Sequence, residues 1–407
     1  MTAFDQELSS RLLALREKGL HRVLRPVDSP QGTRIRIGDQ SLLSFSSNDY
    51  LGLANHPQLK ESAARAVGQF GAGSGASRLI CGSLTPHQQL EEALAAFKAT
   101  PAAISFSTGY ATAIGTICAL LGKEDVIVLD KLVHACIVDA ARLSGAKLRV
   151  FAHNDLDDLE DILKWASVRR QNPKLKSRTL IVTETVFSMD GDQAPLREIV
   201  ALKEEYGAWL MLDEAHATGL YGTNRRGLAE ELGVAEQIEV QMGTLGKAIG
   251  ASGGYVCGSR ELIEYLVNRA RSFIFSTAPV PAAAAAATTG IRLVQSAEGK
   301  TLRQALWKRV EEFRAGIGSV LARSTPQRGQ QSRIESGAII PIILGEETKA
   351  TETADELRTQ GFFVPAIRYP TVARGSARLR VTLTASHTSE EVWALNSVLT
   401  RIINRQS

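Results

Sequence analysis

The sequence predicts an α/β protein with a mainly parallel central sheet, helices on both of its faces, and a smaller α+β unit after it. Three observations carry this reading. From residue 102 to residue 257, short apolar runs such as Val126–Leu129, Thr179–Thr183 and Trp209–Leu212 alternate with segments of helical period. Several runs close on an acid, Asp130, Glu184 or Asp213, where strands of open sheets meet a binding crevice. After about residue 290 the alternation gives way to long helical patterns and a few short strands.

In order, residues 1–25 read as a surface helix with acids early, and 33–47 as a short hairpin. Asn48 and Asp49 favour a turn, with a cap near Asn55-His56-Pro57 and a helix over Gln58–Gln69. Glycine-rich residues 71–83 read as a loop and Pro86–Lys98 as a helix. The alternating region gives strands at Ala102–Phe106, Val126–Leu129, Leu148–Phe151, Thr179–Thr183, Trp209–Leu212, Ile238–Gln241, Gly254–Cys257 and Phe273–Phe275. Helices fall at Gly109–Leu121, His134–Leu143, Leu156–Arg169 and Leu196–Tyr206, the last behind Pro195. Beyond it, Ile291–Leu321 is mostly helical and Thr325–Gly337 is a polar loop. Strands Ala338–Ile343, Phe362–Val364 and Leu379–Leu383 and helices Thr351–Gln360 and Ser389–Asn404 complete the chain. The division expected is an arm over 1–48 that packs with the small domain, a large domain over 49–290, and a small domain over 291–407.

Composition narrows the function. The chain has 407 residues and a net charge of +4, and its Lys and Arg are spread without a block, which argues against nucleic acid. The apolar run Ala282–Ala287 is too short for a membrane span, and the N-terminus lacks the basic start and apolar core of a signal peptide. The four cysteines lie far apart with no CxxC, as expected of buried free thiols in a reducing cytoplasm. No metal site is expected.

One stretch, Ala208–Gly254, organises the chemistry. AWLMLDEAH runs five apolar residues into Asp213 and places His216 three residues on, and MGTLGKAIGASGGY sets Lys247 alone among small residues. Lys247 is no P-loop lysine, since Gln241 and Ala248 stand where that motif needs Gly and Ser or Thr. GAGSGASR at 71–78 is no dinucleotide loop, because Arg78 takes the last glycine position and no clear strand precedes it. A lysine in such a loop can hold an aldehyde cofactor covalently while an aspartate keeps a ring nitrogen protonated. Asp213 also reads as a helix cap, and His134 as a structural or ring-stacking histidine. The helix start at Thr108-Gly109-Tyr110 offers free N–H groups to a phosphate.

The motifs NDYLGL (48–53), GSGASRLICGS (73–83), STGY (107–110), DKLVHA (130–135), TETVFSMDGDQAPL (183–196), LDEAHATGLYG (212–222), GTLGKAIGASGGY (243–255), FSTAP (275–279), IRYPTV (367–372) and ARLRVTLTASH (377–387) span nearly the whole chain. Together they resemble the α-oxoamine synthases, pyridoxal-phosphate (PLP) transferases of the aspartate-aminotransferase fold, fold type I. The resemblance implies a decarboxylative condensation of an amino acid with an acyl-CoA or acyl-carrier-protein thioester, in a cytoplasmic homodimer with shared active sites. It implies Lys247 as the lysine that binds the cofactor and later moves the α-proton, Asp213 as the partner of the ring nitrogen, and His134 as the residue stacked on the ring. Ser188 and His216 match partners of the ring's phenolic oxygen. Gly109, Tyr110 and Thr244 match phosphate binders, with Thr277 reaching the phosphate from the second subunit. Arg380 matches the anchor of the amino acid's carboxylate; Asn48, Thr371 and Arg22 match further substrate contacts. The chain departs from the family pattern at Thr185, Ala113 and Ala373, and the last of these adjoins the expected acyl site.

Overall fold

A computed structural model describes residues 1–170, 177–324 and 337–406. The N-terminal part holds α1 (Ala3–Glu17), the hairpin β1 (Arg34–Ile37) and β2 (Gln40–Ser44), then α2 (Pro57–Phe70) and α3 (Thr85–Lys98). Strands and helices then alternate through β3 (Ala102–Phe106), α4 (Gly109–Leu120), β4 (Val126–Asp130), α5 (Ala135–Ser144), β5 (Lys147–Phe151), α6 (Leu156–Arg170), β6 (Thr179–Glu184), α7 (Leu196–Tyr206) and β7 (Trp209–Asp213). Next come α8 (Leu228–Glu231), β8 (Val240–Thr244), β9 (Gly254–Gly258), α9 (Arg260–Arg269), α10 (Arg271–Ile274), α11 (Pro281–Gln295) and α12 (Ala297–Ser324). The chain ends with β10 (Ile339–Gly345), α13 (Glu347–Thr359), β11 (Phe362–Phe363), β12 (Ala366–Ile367), β13 (Ala377–Thr382) and α14 (Ser389–Gln406).

Seven strands form the central sheet in the order β3-β9-β8-β7-β6-β4-β5. The pairs from β8 through β5 are parallel, and β9 runs antiparallel to both β3 and β8. The alternation of side chains along each strand fills two layers. Leu210 and Leu212 of β7 pack with Leu159 and Leu163 of α6 and Ile199 of α7. Met211, between them, joins Ala113 and Ile117 of α4, Ile137 of α5 and Leu266 of α9 on the other face. Each fully buried Leu or Ile contributes about 1.5–3 kcal/mol relative to exposure, so the two-sided burial explains the continuous apolar runs.

Two three-stranded sheets lie outside this one, β1-β2-β11 and β10-β13-β12. In the first, Leu43 of the N-terminal hairpin pairs in parallel with Phe362. A further core joins Tyr50 and Leu51 to α3, α11, α12, β10, β13 and α14.

The sheet matches the sequence expectation, with local corrections. Phe273–Phe275 is not a strand: Arg271–Ile274 is a helical turn in which Phe273 is buried against Phe106 at 5.9 Å between ring centroids. The apolar spacing there serves a helix packed on α4, and Ser272 Oγ donates to the Ala111 carbonyl at 2.5 Å. The first helix stops at Glu17 rather than at residue 25, because Gly19 takes a left-handed φ of 64°. Helix α9 was not anticipated, although Ser259 caps it by accepting from Leu262 N at 3.1 Å. The loop at 71–83 contains a five-residue π-helical turn, Arg78–Gly82. Residues 325–336 of the expected polar loop lie outside the described residues. Of the cysteines, all free, Cys136 and Cys257 are buried as expected, whereas Cys81 is exposed and Cys118 half-buried. Among the described residues no helix is long and apolar enough to cross a membrane.

Candidate active site

The parallel strands end side by side, with Glu184 of β6 opposite Asp213 of β7, and Asp213 opposite Met242 of β8. After Asp213 the chain turns sharply: Ala215 N donates to Asp213 Oδ1 at 2.9 Å, and His216 is carried inward with 6% of its surface exposed. Thr185 holds the same strand end, donating from its N (2.9 Å) and its Oγ1 (3.2 Å) to the Asp213 carbonyl. After Thr244 the chain makes a closed loop, pinned by Leu245 N to Gly253 O at 2.9 Å and Gly250 N to Lys247 O at 2.8 Å. That loop brings Lys247 Nζ to 2.7 Å from His216 Nε2. On its other side His216 Nδ1 lies 2.6 Å from the Tyr50 hydroxyl.

The electrostatics follow from this enclosure. Burial holds the Lys247 amine down to about 8, outweighing the nearby Asp213 and Glu184 carboxylates. Burial raises the Asp213 carboxyl, and Lys247 and the Ala215 N–H pull it part of the way back. Glu184 is pushed well up by burial and then by Asp213, while its Oε1 accepts from His134 N at 2.5 Å. His216 is driven well below its ordinary range by burial, then by Lys247 and Arg380, so it is a neutral imidazole.

The start of α4 faces this group. Thr108 caps it, accepting at Oγ1 from Ala111 N at 3.0 Å, and the first N–H groups after it, at Gly109 and Tyr110, are those a helix leaves without intrahelical partners. Side-chain-free positions are required here: a Cβ on Gly254 would come within 2.9 Å of Gly109 N, and one on Gly109 within 2.6 Å of Thr244 Cγ2. Thr244 Oγ1 is buried with no hydrogen-bond partner. A buried hydroxyl without a partner, beside a helix start, fits the phosphate of PLP. Lys247 beside Asp213 fits its aldehyde and ring nitrogen. Tyr110 turns its hydroxyl to Asp139 Oδ2 at 2.7 Å and leaves its ring 47% exposed.

His134 is the cap of α5: its Nδ1 accepts from Cys136 N at 3.2 Å. Burial lowers its pKa, with Asp213 opposing and Lys247 reinforcing the shift. His134, Ser188, Thr371 and Arg22 line one cavity of about 1760 Å³. Arg380, on β13, is buried and donates from Nε to Ser188 O at 2.6 Å, from Nη1 to Thr382 Oγ1 at 3.0 Å and from Nη2 to Asn48 Oδ1 at 3.1 Å. Lys247, Asp213, His216, His134, Ser188, Arg380 and Asn48 are therefore brought together, and Gly109 meets Thr244 beside them. Thr371 and Arg22 share only the cavity wall with His134 and Ser188, and one residue stands apart. Thr277 is exposed, in an isolated bridge with Ser77, and makes no contact with this cluster.

Residues outside the expected set also belong here. Tyr50 and Glu184 both touch it, and the signal for each was present: Glu184 ends a strand, and Tyr50 sits in NDYLGL. His153 bridges Asp130 Oδ1 (2.9 Å) and Asp192 Oδ2 (2.8 Å) at the cavity wall. Nothing in the spacing of residues 130, 153 and 192 shows that pairing. Among the described residues no cluster suited to a metal ion occurs.

A single lysine at the end of a mostly parallel sheet, with a buried acid beside it and a helix start opposite, defines a PLP-dependent enzyme of fold type I. Residues 40–399 match the aminotransferase class I and II family, and the chain belongs to that family. It is similar to the 8-amino-7-oxononanoate synthase of Geobacter sulfurreducens (strain ATCC 51573 / DSM 12127 / PCA), with 45% identity over 397 residues and 98% of each chain covered. Its fold is similar to that of a serine palmitoyltransferase from S. paucimobilis with bound PLP–myriocin aldimine, with a TM-score of 0.87, 29% identity, and coverage of 100% of this chain and 99% of that one. It is also similar to the 8-amino-7-oxononanoate synthase of Francisella tularensis, with a TM-score of 0.73, 27% identity, and coverage of 90% and 99%.

Proposed function

We propose that this enzyme condenses L-alanine with a pimeloyl thioester of CoA or a carrier protein, giving 8-amino-7-oxononanoate, carbon dioxide and the free thiol in biotin biosynthesis. The observation that carries the reaction type is the enclosed Lys247 amine, bonded to a neutral imidazole and flanked by Asp213 rather than locked in an ion pair. The names of the relatives support the choice of substrates.

The bound cofactor supplies an electron sink for the charge left when the amino acid's α-proton departs. Lys247, with its amine held down to about 8, takes that proton at Nζ near neutral pH. Asp213 would hold a negative charge for the ring nitrogen of the bound cofactor, and His134 would stack on its ring. His216 and Ser188 would hold the phenolic oxygen, and Thr244, Gly109 and Tyr110 the phosphate. Arg380, set by Asn48 and the Ser188 carbonyl, receives the carboxylate, and Thr371 and Arg22 receive the acyl chain in the cavity they line. The four free cysteines suit a cytoplasmic enzyme. The lobes proposed are 49–290 and 291–407, with the 1–48 arm on the latter.

A sister reaction, serine with a long acyl-CoA, is favoured by one observation: the serine palmitoyltransferase fold superposes at 0.87 against 0.73 for the synthase. A grid of amino acids against acyl thioesters, scored by thiol release, separates the two. Fastest release with alanine and pimeloyl thioester is expected; fastest release with serine and palmitoyl-CoA would reverse the assignment.

The homodimer rests on Thr277, which is exposed and bridged to Ser77 while matching a phosphate contact. Inactive Lys247→Ala subunits mixed with inactive Thr277→Ala subunits should regain up to about half the activity per mixed dimer, since one of two sites then carries neither defect. No recovery after demonstrated subunit exchange would rule out shared sites.

A further inference from the structure

Tyr50, His216 and Lys247 are joined in succession in the protein interior, with Arg380 near Tyr50. The Arg380 guanidinium lies near enough to lower the Tyr50 phenol, and a guanidinium has only donors to offer. Arg380 therefore cannot take the Tyr50 proton, which must be directed elsewhere. Tyr50 is 1% exposed, so water is not available to take it. The acceptor within reach is His216 Nδ1, at 2.6 Å. Burial pushes the Tyr50 phenol up to about 12, with Arg380 only partly opposing, so the proton stays on the tyrosine side. A neutral imidazole that accepts at Nδ1 carries its own hydrogen on Nε2, the nitrogen 2.7 Å from Lys247.

We infer that Tyr50 is a positioning residue for the proposed chemistry: it fixes the tautomer of His216 so that an Nε2–H, rather than a lone pair, faces Lys247. An N–H donor favours the unprotonated amine, whose lone pair can receive it, and opposes the ammonium, which has none. The free amine is the form that attacks an aldehyde and takes a proton. The same N–H suits an anionic phenolic oxygen once PLP is bound. The other groups facing Lys247 are Asp213 from β7, Glu184 from β6, Arg380 from β13, and Cys136 and His134 at the start of α5. The two carboxylates favour the ammonium, so the hydrogen-bond direction at His216 acts with burial and Arg380 against them.

The inference rests on the Lys247 site but not on the proposed substrates, and its test needs neither. In the full chain stripped of PLP and labelled with nitrogen-15 in the histidine rings, His216 should show a proton on Nε2 across neutral pH. A wild-type signal from the Nδ1–H tautomer overturns the inference, whether or not any variant folds. In Tyr50→Phe the phenyl ring is kept and Nδ1 is released, so His216 can turn a lone pair to Lys247. The pH midpoint for modification of Lys247 by an amine-reactive reagent, read by mass spectrometry, should then rise by about one unit, roughly a tenfold slower reaction below the midpoint. With PLP restored, the pH titration of the visible band should move as well. Coincident wild-type and Tyr50→Phe curves would show that the hydroxyl merely packs. A failed substrate grid with an Nε2–H tautomer intact would count against the proposed reaction and leave this inference standing.

Discussion

Two buried lysines sit beside two consecutive carboxylate residues. Lys98 and Glu214 form an ion pair with side chains 1% and 0% exposed. Lys98 Nζ also donates to the Arg226 carbonyl at 2.6 Å, and Glu214 Oε1 accepts from Ala229 N at 3.0 Å. The Lys98 ammonium has a carboxylate and a carbonyl to donate to, and the pair ties α3 to the turn after β7. Lys247 lies by Asp213, one residue earlier, yet among the described residues it makes no ion pair and bonds to a neutral imidazole. Adjacent acids thus treat two lysines oppositely. An ammonium held in an ion pair is inert, whereas an amine denied its counter-ion keeps a lone pair within reach.

The largest effects should separate these lysines by kind. Lys247→Ala should fold, lose the visible cofactor band and lose at least about 10³-fold in turnover, in line with removal of a positioned proton-transfer group. Its cofactor-free stability at neutral pH should not fall, because a disfavoured buried charge has gone. Lys98→Ala should do the reverse. It strands Glu214 in the core and should cost about 3–5 kcal/mol in chemical denaturation, with the band kept in whatever remains folded. A Lys98→Ala protein as stable as the parent, or a Lys247→Ala protein that keeps band and turnover, would break the contrast.

Asp213→Asn tests the acid on the functional side. The neutral amide should still bind PLP but hold the ring nitrogen's proton less firmly. Loss of one charge-assisted hydrogen bond, about 1.5–3 kcal/mol, corresponds to roughly a 10- to 150-fold drop in turnover. Near-normal steady-state turnover in this variant would show that Asp213 serves only as the turn cap to Ala215 N.

The sheet was legible because its signal is local: each buried strand is an apolar run, and each such run between Ala102 and Cys257 became a strand within two or three residues at its ends. Phe273–Phe275 misled because a short apolar run does not distinguish a strand from a buried helical turn. Lys247, Asp213 and His216 were legible because each follows a recognisable strand, Asp213 and His216 behind one apolar run and Lys247 behind the next, within motifs of their own. The pairings of Tyr50 and His153 were not, although Tyr50 lies in the NDYLGL motif, since their partners His216, Asp130 and Asp192 are brought to them by packing over 166, 23 and 39 residues of chain. Thr185 departs from the family motif, yet both its donors hold the Asp213 carbonyl.

His153 offers the smallest effect and a third version of the comparison. Both ring nitrogens face carboxylates, Asp130 and Asp192, so the ring is an imidazolium joining the end of β4 to the turn beyond Ser188. Burial alone would push it down, but hydrogen bonds to the two acids outweigh burial and carry it up to about 10. In the unfolded chain a histidine titrates near about 6.5. Below that pH both states hold the proton and the stabilisation is complete. Between about 6.5 and 10 the unfolded chain has released its proton while the folded protein keeps it, so the contribution is lost progressively as pH rises. The stability difference between the parent and His153→Gln should therefore shrink from pH 6 to pH 10 in parallel denaturation series. Lys247 must act in the opposite sense. Its folded-state value of about 8 lies below the ordinary 10.5, so cofactor-free stability gains from pH 8 upward, and Lys247→Met should remove that gain. Difference curves of opposite slope for the two variants would establish that one buried base has its charge stabilised for structure and the other has its charge disfavoured for chemistry; parallel curves would erase the distinction.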